Sequence, residues 1–211
     1  MKRSGPHVPD QDTSAVQIQS FATALLASEE PNDAYDVHRW LYVPPMYTEY
    51  RYILGTRGEK PLIVVGINPS TAEPNALDPT VASAERIALN NGYDSFLMFN
   101  VYAQRATHPN DMERKNNQIL HAENMKAFQY LLSLHKENPP VWAAWGTVIE
   151  KRPYLKQCLF DMLALGKKAN ARWFKAGNLT KAGHPRHPLY MRKDTLLDSF
   201  DIETYLAALY G

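Results

Sequence analysis

The sequence predicts an α/β domain, a three-layer α/β/α sandwich around a short, mainly parallel central sheet. Three observations predict it. Short apolar runs alternate along the chain with longer segments of helical periodicity. The runs "PLIVVG", "SFLMFNVYA" and "PVWAAWG" are continuously apolar, as strands buried on both faces are. Between them lie segments long enough to cross back and start a parallel neighbour.

Residues 1–14 are polar, contain Pro6 and Pro9, and read as a mobile tail. Residues 15–211 then form one domain of ordinary size. "AVQIQSFATALLASEE" has helical spacing and stops before Pro31. "DVHRWLYVPPMYTEY" is aromatic-rich and broken by Pro44 and Pro45, so it reads as an irregular packed segment. "YRYILG" alternates and suits an edge strand, whereas "PLIVVG" suits a central one. Asp78-Pro79 is a helix start, with Asp as cap and Pro at the first helical position. The helix "TVASAERIALNN" ends at Gly92. After the strand "SFLMFNVYA", a long helix covers "NNQILHAENMKAFQYLLSLHKE". "PVWAAWG" is a strand, and "TVIEKRPYLKQCLFDMLALGKK" is mostly helix despite Pro153. "ARWFKAG" reads as the last strand and "TLLDSFDIETYLAALYG" as a closing helix.

Composition narrows the function. Lys and Arg number 23 against 22 Asp and Glu, so the whole-molecule field does not advertise a nucleic-acid partner, and any such site must come from local clustering. The single cysteine, Cys158, excludes an internal disulfide, a four-cysteine iron–sulfur cluster and a cysteine zinc site. It suits a reducing cytoplasm, the expected location. No cofactor and no metal are expected. No apolar stretch is long enough to span a bilayer, and "MKRSGPHVPDQDTS" lacks the apolar core of a secretory signal. No membrane partner is therefore expected, and the chain is expected to be monomeric.

Polar residues gather where the strands end. "PLIVVG" runs into Asn68-Pro69-Ser70-Thr71, an amide on a loop stiffened by proline. "SFLMF" ends in Asn100 and continues as "VYAQRATHPND". The last predicted strand leads into "NLTKAGHPRHPLYMRK", which carries Lys181, Arg186, Arg192 and Lys193 with His184 and His187, and no acid before Asp194. Ligands of open parallel sheets bind beyond the carboxyl ends of the strands, so these loops are expected to share one crevice. The basic loop suits phosphate contacts. A structural role is open to each residue as well. Asn68 can brace its turn, Asp78 can simply cap its helix, Asn100 can satisfy backbone, and the histidines can be surface residues between prolines.

"NPSTA", "DPT", "NVYAQRATHP", "AAWG" and "GHPRHPLY" occur in an order and spacing that resemble the bacterial and phage family catalogued as domain of unknown function 1643, over roughly Tyr50 to Leu197. A second, remote resemblance is to the uracil-DNA glycosylase superfamily, especially its mismatch-specific and thymine-DNA branch. "GINPS" is similar to that branch's first motif, and "GHPRHPLY" to the second. This resemblance implies a glycosylase-like fold in which Asn68 positions the attacking water. It places His184-Pro185 at the opening of the second motif. An extra residue there supplies His187-Pro188 as well, so either histidine can be the catalytic one. The loop from Ser70 to Leu77 lacks the aromatic residue that stacks the base in classical uracil enzymes.

The resemblance thus implies a monofunctional DNA glycosylase acting on a flipped-out modified or mispaired base, such as a modified pyrimidine in foreign or phage DNA. Gly66, Ile67, Pro69, Ser70, Thr71, Asp78, Asn100 and Arg105 are expected to bind substrate. Lys181, Arg186, Leu189, Arg192 and Lys193 are expected to bind DNA, with Leu189 as a wedge. Two other functions remain open: a hydrolase of free nucleosides or nucleotides, and a non-catalytic nucleic-acid-binding module.

Overall fold

The structure is a computed structural model, described for residues 5–189 and 191–210. It is a mixed α/β fold built on one seven-stranded sheet in the order β1-β2-β4-β3-β5-β6-β7. The strands are β1 (Trp40–Val43), β2 (Ile53–Thr56), β3 (Pro61–Gly66), β4 (Ser95–Asn100), β5 (Pro140–Ala143), β6 (Arg172–Ala176) and β7 (Leu197–Ser199). Five α-helices accompany them: α1 (Phe21–Ala27), α2 (Pro79–Asn90), α3 (Gln118–Ser133), α4 (Pro153–Lys168) and α5 (Ile202–Tyr210).

The predicted short, mainly parallel sheet is therefore corrected to a long, mixed one. Its centre, β4-β3-β5-β6, is parallel. Antiparallel strands extend both edges: β1 and β2 on one side and β7 on the other. The aromatic segment before Pro44 is a fully buried strand, β1, and the start of the predicted closing helix is β7. Pro153 does not interrupt a helix. It opens α4, where a missing N–H costs nothing.

The continuously apolar strands serve two cores. Ile63 and Val65 point into a cluster with residues of α1, α3, α4 and α5. Leu62 and Val64 point into a second cluster with residues of α2. Period-two alternation in β3 thus feeds both faces, which is why no polar position survives in it. The chain leaves β3 through α2 to reach β4 on one side. It returns through α3 to β5 on the other. Such a reversal opens a crevice at the carboxyl edge.

The N-terminal segment departs from the expected mobile tail. From His7 onward it lies against the body. His7 N donates to Thr107 Oγ1 (2.7 Å) and Thr107 N to His7 O (2.9 Å). Thr13 is buried, and its N–H donates to Glu113 Oε2 at 2.8 Å. Polar composition alone suggested freedom, but these backbone groups find fixed partners 100 residues away. Residues 1–4 lie outside the described residues.

Candidate active site

A cavity of about 510 Å³ opens at the carboxyl ends of β3 and β4, beside the start of α2. Three loops close around it, each held by backbone. The loop after β3 is zipped to the loop after β4: Ala106 N donates to Pro69 O (2.9 Å), and Ser70 and Thr107 share a hydroxyl hydrogen bond (2.8 Å). The histidine loop is pinned from two sides. Gly146 N donates to Pro185 O at 3.1 Å, and Ser83 Oγ on α2 donates to Pro188 O at 2.8 Å. Gly146 has φ +65°, and an added Cβ would lie 3.3 Å from His187 Cβ, so the glycine of "AAWG" lets this loop approach the end of β5.

Asn68 lies on the cavity wall, half-buried. Its Nδ2 donates to Ala106 O (2.7 Å) and Pro69 O (3.0 Å). Both structural and chemical roles meet here. The amide nitrogen braces two loops, and that bracing fixes the direction of Oδ1, which has no hydrogen bond among the described residues. Asn100 is different. It is 1 % exposed and lines the same cavity, yet neither its Nδ2 nor its Oδ1 has a hydrogen-bond partner among the described residues. A buried amide with both ends unpaired is costly and rare in a native fold. The backbone makes room for it: a Cβ at Gly66 would lie 2.8 Å from Asn100 Oδ1. Behind it, Asn124 Nδ2 on α3 donates to Asn100 O at 2.9 Å.

The two histidines part company. His184 turns away from the cavity. Its Nδ1 is hydrogen-bonded to Tyr205 Oη (2.9 Å) on α5, and its Nε2 lies 3.3 Å from Glu150 Oε1, within ion-pair reach though without hydrogen-bond alignment. Tyr205 Oη also accepts from Trp145 Nε1 at 2.9 Å. His184 thus bridges the loop and α5 and is not among the residues that line the cavity. His187 lines the cavity. Leu189 N donates to its Nδ1 at 3.3 Å, so in the neutral ring the proton sits on Nε2. Burial holds this imidazole below its ordinary range, with Asp78 opposing, so His187 is neutral near pH 7.

Gly66, Ile67, Pro69, Ser70 and Thr71 line the cavity. Asp78 does too, while its Oδ1 accepts from Val81 N (2.9 Å) as the cap of α2. Leu189 is at the wall. Arg105 is not. It is wholly buried behind the first loop, donating to Ser70 O and, through Nη2, to Tyr42 Oη at 2.9 Å. It braces the loop and is not among the residues that line the cavity. Lys181, Arg186, Arg192 and Lys193 are exposed. Arg186 Nε donates to Asn178 O (2.7 Å), and Arg192 is committed to Asp194 through two hydrogen bonds (3.0 and 2.8 Å).

Of the cavity residues that escaped the sequence reading, one carries a charge. Arg51 is 1 % exposed and lines the cavity. Its signal was present, since an arginine stands between two buried tyrosines, Tyr50 and Tyr52, in an apolar run. Cys158 does not line the cavity, and burial on α4 pushes its thiol up to about 12. Among the described residues, no group of three or more His, Cys, Asp or Glu side chains is placed to hold a metal ion, and no helix is long and apolar enough to cross a membrane.

No curated protein and no solved structure matches the chain. A family model does match, from Arg51 to Leu189, two residues that both line the cavity. That span is more than half of the chain, which therefore belongs to the family described as protein of unknown function DUF1643.

Proposed function

We propose that the protein hydrolyses an N-glycosidic bond, removing a modified or mispaired base from DNA. The observation that carries this reading is Asn100, a buried amide with both ends unpaired on a cavity wall. An amide offers one donor edge and one acceptor, which is what the hydrogen-bonding edge of a nucleobase presents in return. The fold that accompanies the reading is a three-layer sandwich, supported by α2 on one face of the sheet and the other helices on the opposite face.

The remaining groups fit the chemistry. Cleavage develops cationic character on the sugar and negative charge on the departing base. Asn68 Oδ1, oriented by its braced amide nitrogen, holds a water for attack at the anomeric carbon. An amide accepts a proton poorly, so the rate depends on the quality of the leaving base. His187, neutral with its proton on Nε2, donates toward the oxygen where charge accumulates. In this reading Leu189, which lines the cavity, fills the gap left by an extruded base. Lys181 and Arg186 supply exposed charge on the same loop.

The test is to incubate the protein with genomic DNAs carrying different modified bases and identify free base by mass spectrometry. Release of one base, lowered by roughly two to four orders of magnitude in Asn68→Ala, is the expected result. No release from any DNA, with binding retained, would leave a nucleic-acid-binding module instead.

A further inference from the structure

The cavity holds a charge that the cleavage chemistry does not use. Arg51 and Arg105 are buried side by side, 1 % and 0 % exposed. They share one acceptor: Ala72 O takes Arg51 Nη1 at 3.0 Å and Arg105 Nη1 at 3.3 Å. Neither has a carboxylate within 4 Å among the described residues. Buried cations are ordinarily paired, because desolvation without a counter-charge is costly.

The two are not equally satisfied. Arg105 also reaches Ser70 O and Tyr42 Oη, and its guanidinium lies 4.1 Å from the centre of the Tyr47 ring. Arg51 has only the single bond to Ala72 O among the described residues, and its Nε is buried with no partner. With Nη1 spent, the Nε–Nη2 edge is left. This is one of the edges on which a guanidinium takes two oxygens of a planar or tetrahedral oxyanion. Burial and the neighbouring Arg105 lower the Arg51 pKa to about 9, which still leaves it charged near neutrality. Asp78 is the acid whose field acts on Arg51, and it is already engaged in capping α2. Asp78 is one carboxylate against Arg51 at the wall and Arg105 buried behind it, so this side of the cavity is net positive.

We propose that Arg51 is an anion subsite of this cavity, taking a phosphate oxygen of a nucleotide whose base lies against Asn100. The phosphate belongs either to a free nucleotide or to the backbone of a strand. The inference rests on the reading of the cavity as a nucleobase site, but not on any bond being cut.

The test compares binding by isothermal titration calorimetry. The ligands are the four deoxynucleosides, their 5′-monophosphates, the corresponding trinucleotides and orthophosphate. The expected result is that the wild-type chain prefers phosphorylated over unphosphorylated ligand by tenfold to about a hundredfold, the worth of a charge-assisted hydrogen-bond pair. Arg51→Met should erase that ratio while leaving nucleoside affinity in place. Preference already present with monophosphates identifies a free nucleotide as the source, and preference seen only with trinucleotides identifies a strand. Should Arg51→Met fold poorly, Arg51→Lys keeps the charge without the fork and should reduce the ratio by about tenfold. Equal binding of nucleosides and all phosphate compounds by the wild type, or an unchanged ratio in a folded Arg51 variant, would overturn the proposal. Because the readout is binding, a subsite can be found where no base is released, and base release can occur where no subsite exists.

Discussion

Replacing Asn100 by alanine separates a working residue from a structural one. The side chain carries two buried polar atoms without partners. Each such group costs about 1–3 kcal/mol relative to a satisfied one. Their removal offsets the packing lost with a small side chain. The folded state should therefore be unchanged or more stable by up to about 1 kcal/mol, which for a domain of this size is at most roughly 2–4 °C in Tm. Asn124→Ala is the control. Asn124 is wholly buried, and its Nδ2 serves Asn100 O (2.9 Å) and Val101 O (3.4 Å). Its loss leaves those carbonyls short of a donor, offset in part because its own Oδ1 has no partner among the described residues, and should cost about 1–2 kcal/mol, or a few degrees. Nucleotide affinity should behave oppositely. Asn100→Ala forfeits two hydrogen bonds to the base and should weaken binding by roughly 10- to 100-fold. Differential scanning calorimetry and titration calorimetry on the two variants provide both readouts. Were Asn100→Ala to melt several degrees lower with unchanged ligand affinity, the amide would be a structural residue and the site reading would fail.

Three other outcomes are expected. Burial holds the His187 imidazole below its ordinary 6.5, so the unfolded chain takes up a proton there that the folded chain refuses. Stability should fall as pH drops below about 6.5 through the lowered native value, and His187→Gln should flatten that slope. His135 shifts in the same direction, so the comparison of urea midpoints between wild type and variant isolates the His187 share. Arg105→Lys cannot span Ser70 O, Ala72 O and Tyr42 Oη together. It should cost about 2–3 kcal/mol by urea unfolding and loosen the loop that carries Asn68, whereas an unchanged midpoint would refute its bracing role. Lys181→Ala and Arg186→Ala should each reduce the salt slope of DNA binding by about one and leave base choice unchanged; slopes equal to wild type would place DNA elsewhere.

The sequence by itself determined the centre of this protein. A continuously apolar β3 can only be a strand covered on both faces, and Asp78-Pro79 can hardly be anything but a helix start. Because parallel strands share one carboxyl edge, the loops bearing Asn68, Asn100 and His187 were bound to meet. The sheet edges were not legible. β1 and β7 are four- and three-residue strands whose pairing is chosen by their neighbours, and period-two alternation has no room to show in so few residues. Nor could sequence choose between His184 and His187, which stand three residues apart on one loop. The choice fell to contacts from α5 and α2: Tyr205 draws one ring inward, while Ser83 on α2 pins Pro188 beside the other. The sequence hinted at a buried Arg51 but not at what surrounds it. Burial of a guanidinium depends on acceptors supplied by distant segments, here the carbonyl of Ala72 brought in by the loop after β3. Local propensity fixes elements, but the environment of a charge is a property of everything packed around it.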